Sequence, residues 1–94
     1  MKKNSYVYIL TNKNKTVLYI GVTSNIEKRI FQHKNSQLKG FSKKYNLKCL
    51  VYYEEFGNIT DAILREKTLK EKSRLKKEQL VTAFNPQWVD ILLF

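Results

Sequence analysis

Glu66 stands where a carboxylate is costly. At 100° per residue Ile59, Ala62, Ile63, Leu69 and Lys70 form one arc of a helix, with Glu66 at its centre. Taking a carboxylate out of water there is expensive unless something pairs with it. Two readings are open: an ion pair or snorkelling side chain, or a metal ligand or catalytic acid facing a site. A second inward-leaning charge, Arg29, lies one helical turn before His33, on a stripe shared with Ile26 and Ile30. His33 is either a satisfied structural histidine or a proton carrier. Tyr8 and Tyr19, on two β-type segments, are sheet-surface packing or phenols that act on a substrate. Lys28, Arg29, Lys34, Lys39, Lys43 and Lys44 are a solvated surface or phosphate contacts. Asn85 before Pro86 stops a helix, and Gly21 ends a strand.

The elements that must position these residues are legible from composition. Tyr6–Leu10 and Val17–Val22 are β-branched and aromatic, separated by a polar loop with two asparagines. A hairpin symmetric about that loop sets Tyr8 opposite Tyr19, on the face that carries Tyr6 and Gly21. Val7, Ile9, Leu18 and Ile20 then point the other way. Ser24 and Glu27 have the spacing of a capping box, which predicts a helix over 25–35. A basic connection follows, then a third strand over 49–54. Thr60 is placed to cap a helix to about Lys72, and Ser73 another to Phe84. Trp88–Phe94 is an apolar tail that packs back on the domain. The order β-β-α-β-α-α describes a small α/β (α+β) sandwich, a three-stranded antiparallel sheet flanked by helices. Residues 1–94 read as one domain.

Ninety-four residues bury only roughly 60–65% of the unfolded surface, too little for a multidomain enzyme or a large cofactor pocket. A hydrophobic content of 43% with 28% charged residues argues against disorder. There is no apolar run long enough to span a bilayer and no signal-type apolar segment at the start. The single cysteine, Cys49, makes neither an intrachain disulfide nor a zinc cluster, which fits a reducing cytosol and a cytoplasmic protein. The net charge of +10 is concentrated: from Met1 to Tyr53 Glu27 alone opposes eleven Lys and Arg, whereas the remainder is balanced. Such a surplus reads as the footprint of a polyanion.

Taken together, Tyr6-Val7-Tyr8-Ile9-Leu10, a short loop and Leu18-Tyr19-Ile20-Gly21-Val22-Thr23 resemble the GIY-YIG nuclease superfamily. The match continues through Arg29, His33, Glu66 within Ala62–Lys67, and Asn85. It is similar to the small standalone members, little more than the nuclease module with which excinuclease C begins. Tyr6 stands where the family name has Gly, and Val7 where it has Ile. The resemblance implies metal-dependent hydrolysis of a DNA phosphodiester, with RNA left open. Glu66 would hold one Mg²⁺ or Mn²⁺, Arg29 would clamp the phosphate, and Tyr8 or Tyr19 would orient or deprotonate water. His33 would assist proton transfer or bind phosphate, and Asn85 would position a side chain or the substrate. With no added DNA-reading element, cutting would be directed by structure rather than sequence, in repair or recombination. The alternatives are a nucleic-acid-binding module without cleavage, and a protein docking through Ile91-Leu92-Leu93-Phe94. The expected assembly is a monomer or weak dimer.

Overall fold

The computed structural model describes residues 4–35, 40 and 44–91. Three strands form: β1 (Ser5–Thr11), β2 (Leu18–Thr23) and β3 (Cys49–Phe56), the last running two residues beyond its predicted end. They pair antiparallel in the order β2-β1-β3, so β1 is central and β2 is an edge. In the hairpin Tyr8 pairs with Gly21, and Tyr19 with Leu10, a register two residues from the expected one. The reason lies in the loop. Asn12 Oδ1 accepts from the backbone N–H of Thr16 at 2.9 Å and of Val17 at 3.1 Å, and Lys15 takes φ 59°. This closure lengthens β1 to Thr11. Because side chains alternate with period two, a two-residue shift leaves the expected faces intact.

One face of the sheet carries Val7, Ile9 and Ile20 against Ala62, Leu69 and Val81. These come from α2 (Ile59–Glu71) and α3 (Arg74–Phe84). The other face carries Tyr8, Leu10 and Leu50 against Ile26 and Ile30 of α1 (Ile26–Lys34). The sheet is therefore covered on both sides, α1 on one and α2 with α3 on the other.

Two caps differ from expectation. Asn25, not Ser24, caps α1 by accepting from the Lys28 N–H, and Asn58, not Thr60, caps α2 by accepting from the Asp61 N–H. Asn competes well at this position, since its short amide oxygen reaches the orphan donors of the first turn. Ser73 caps α3 as predicted. The inward line of α2 is Ala62–Leu69, both fully buried, while Ile59 and Ile63 are exposed. Glu66 thus sits on a flank of the buried line rather than at the centre of an apolar arc, and Arg65 sits on the opposite flank. Asn85 ends α3 as the expected stop. Beyond it Trp88 packs on the first core layer, and the Ile91 N–H donates to the Leu50 carbonyl at 2.8 Å. The tail therefore returns to the domain through residue 91; Leu92, Leu93 and Phe94 lie outside the described residues.

Candidate active site

The site grows from one close approach in the hairpin. An ideal Cβ built on Gly21 would lie 2.4 Å from both Cζ and Oη of Tyr8. Only glycine lets the Tyr8 ring lie across the edge strand, and this carries its hydroxyl to the outer side of the sheet. Tyr8 is 1% exposed, so the ring has no other place to go. Its hydroxyl meets Nε2 of His33 at 3.3 Å, and the rings meet edge to face at 5.9 Å. Tyr19 joins from β2, its ring centroid 6.4 Å from that of Tyr8 and 5.7 Å from that of His33. Tyr19 is half-buried and reaches solvent, unlike Tyr8.

The α1 stripe delivers the next two groups. His33 is buried and Arg29 half-buried one turn before it. Burial, reinforced by the Arg29 guanidinium, pulls the His33 imidazole down to about 4, so the ring is neutral near pH 7. Burial pushes the Tyr8 phenol well above its usual range, with Tyr19 and Glu66 adding to the rise and Arg29 opposing it. The phenol is therefore protonated, and the neutral ring nitrogen beside it can accept a hydrogen bond from it. Glu66, on α2 across the sheet, acts on Tyr8 through its charge. Its side chain is 16% exposed, and its Oε2 lies 3.5 Å from the Lys70 ammonium.

Tyr8, Tyr19 and His33 thus meet ring to ring, and the charges of Arg29 and Glu66 act on this group. Asn85 has a different environment. Its amide donates to the Val51 carbonyl at 3.2 Å and the Val89 carbonyl at 2.8 Å, and its Oδ1 accepts from the Val89 N–H. Lys28 and Arg29 line a polar hollow of about 210 Å³ with Thr23, Asn25 and Gln32. Lys34 is engaged elsewhere: its ammonium binds the Asp90 carboxylate and the Lys48 carbonyl. Lys44 lies over its neighbour Tyr45. Lys39 and Lys43 lie outside the described residues.

Among the described residues no three of His, Cys, Asp and Glu gather as a self-sufficient metal cage. One carboxylate at a solvent-reaching edge is nevertheless a fitting partner for a hard cation that keeps water and takes substrate oxygens. Sequence reasoning missed the role of Gly21 as the space for Tyr8, since the strand-end glycine showed its purpose only once the register was known. A tyrosine and a glycine on facing positions of a hairpin is the signal that could have found it.

A model of the GIY-YIG catalytic domain matches residues 4–79. A UPF0213 protein of Natronomonas pharaonis is 36% identical over 81 residues, covering 86% of this chain and 94% of the relative. One from Staphylococcus saprophyticus is 39% identical over 77 residues, covering 82% and 93%. The solution NMR structure of a UPF0213 protein from Bacillus halodurans aligns with a TM-score of 0.54 at 34% identity, over 85% of this chain and 84% of that one. It shares the α+β architecture. With two strands that place Tyr8 over Gly21, and a helix that adds Arg29 and His33, the chain belongs to the GIY-YIG family.

Proposed function

We propose that this protein is a divalent-metal-dependent endonuclease that hydrolyses DNA phosphodiester bonds, directed by structure rather than sequence, in repair or recombination. The observation that carries the reading is the gathering of Tyr8, Tyr19 and His33 under the charges of Arg29 and Glu66. Glu66 would hold Mg²⁺ or Mn²⁺, which polarises a phosphate and eases departure of the leaving oxygen when bound. Arg29 has the planar donor fork to grip the scissile phosphate and offset the charge that grows on it. Its position beside the polar hollow at the start of α1 supports that role.

Of the two tyrosines, burial favours Tyr19 as the group that meets the attacking water, because Tyr8 is sealed from solvent. Tyr8 is then a positioning residue: its hydroxyl, hydrogen-bonded to His33 at 3.3 Å, orients the imidazole beside Tyr19. Asn85 acts at a distance, by holding the end of α3 against β3. The basic excess of the first half supplies sequence-independent attraction to the polyanion.

The test is cleavage of labelled supercoiled, single-stranded and branched DNA, with RNA alongside, in Mg²⁺, Mn²⁺ and EDTA. Metal-dependent cutting that is lost in Glu66→Gln, with DNA binding retained, supports the proposal. A Glu66→Gln variant as active as wild type refutes the role of that carboxylate.

A second reading, a binding module without cleavage, draws on Lys70, whose ammonium stands beside Glu66 where a cation would sit. Tight salt-sensitive binding with no cutting under any condition would favour it.

A further inference from the structure

The outer edge of β2 continues past Tyr19 into a groove lined by Leu18, Tyr19, Ile20, Lys70 and Lys77. Its volume is about 390 Å³, within the range of small-ligand sites. We propose that this groove is the track for a single nucleic-acid strand leading into the site, with Lys70 and Lys77 holding its phosphates. The inference rests on the nuclease reading and adds a path and a form of substrate to it.

Three observations carry it. The groove borders Tyr19, whose ring packs on the opposite face of the sheet from Leu18 and Ile20, so a strand lying in it reaches the proposed point of attack by crossing the edge of β2. Its floor is apolar and its cations stand on α2 and α3, a division that suits unpaired bases below and phosphates along the rim. A duplex would offer its phosphates and keep its bases stacked inside, leaving the floor unused.

The third observation concerns charge. The second half of the chain is balanced by count, and four of its seven acids are paired: Glu54 with Arg65, Glu66 with Lys70, Glu78 with Arg74, and Asp90 with Lys34 of the first half. Among the described residues Lys77 makes no ion pair within 4.0 Å. Lys70 is 55% exposed and makes a long 3.5 Å contact to Glu66, so it can turn to a phosphate at little cost.

The experiment measures binding rather than cutting. Anisotropy of a short labelled single strand, as DNA and as RNA, and of the matching duplex is followed over a salt series in EDTA. The proteins are wild type, Lys70→Ala/Lys77→Ala, Lys70→Arg/Lys77→Arg, and Lys72→Ala/Lys76→Ala from the separate groove between α2 and α3. The expected result is tighter binding of single strand than of duplex. The slope of log affinity against log salt should fall by about 1.4 in the first alanine pair, two phosphate contacts at about 0.7 each. The arginine pair restores it, and the Lys72/Lys76 pair changes it less. Equal losses in both alanine pairs, or binding of duplex alone, overturn the track. Since no cleavage is scored, that failure leaves the Glu66→Gln test of the nuclease reading standing. The DNA and RNA arms tell which strand the groove prefers.

Discussion

Tyr8 is confined by what surrounds it, with backbone on one side and an imidazole on the other. Gly21→Ala would drive a methyl into the end of a ring that is 1% exposed. Overpacking of this kind costs about 1–3 kcal/mol, read as a lower urea midpoint with unchanged slope. In a Tyr8→Ala background the same change should cost much less, because the clash has lost its partner; an additive cycle would contradict the contact. His33 is the sole histidine of the chain, so one imidazole NMR titration reports it without ambiguity. Its midpoint is expected near 4, below the ordinary 6.5. Between those values the unfolded chain binds the proton and the folded chain does not. The contribution of His33 is therefore complete above pH 6.5 and is lost as pH falls to 4, up to about 3 kcal/mol. A midpoint near 6.5 would show the ring to be solvated.

The elements hold these residues through pins that are mostly polar. Asn85 ties the last turn of α3 to β3 and to the segment beyond it, using both ends of a buried amide. Asn85→Ala should cost about 2–3 kcal/mol in a denaturant melt, and Asn85→Asp more, since a carboxylate would then face two carbonyls. If Asn85→Asp were as stable as wild type, the residue would belong to the site rather than the scaffold. The strands, the two faces of the hairpin and the α1 stripe follow from periodicity, which needs no knowledge of partners. The register and the caps do not. Asn25 and Asn58 take the cap positions in place of Ser24 and Thr60, and Asn12 closes the hairpin loop, through geometry that appears only in the folded chain. The arc about Glu66 differs from periodicity alone because the sheet takes the Ala62–Leu69 line and leaves Ile59 and Ile63 in solvent. Arg65 on the other flank found Glu54 with paired hydrogen bonds at 2.9 and 3.0 Å, which fixes α2 over β3 and so turns Glu66 toward β2.

At the scale of the whole molecule, the +10 charge has to be borne by a fold only 94 residues long. Like charges at this density repel one another, and the repulsion weakens as salt screens it. Count by segment located the surplus in the first half, yet could not show which charges pair: Glu66 with Lys70 and Glu78 with Arg74 on the helices, and Asp90 with Lys34 across the chain. The protein should therefore melt at a temperature that rises with salt when alone. A polyanion does the same work more selectively, because it binds the folded arrangement of charges and not the dispersed chain. A short oligonucleotide at a hundredfold excess over its Kd stabilises by about 2.7 kcal/mol, which for a domain of this size is roughly 10–20 °C in Tm. Raising the salt should erase that increment, since each phosphate contact displaced counterions to form. Thermal melts with and without oligonucleotide, in EDTA at low and at high NaCl, read both effects. An increment that persists in high salt would point to apolar contacts as the main source of affinity. No increment at low salt would make the basic surface a solvated one, with no nucleic acid as its partner.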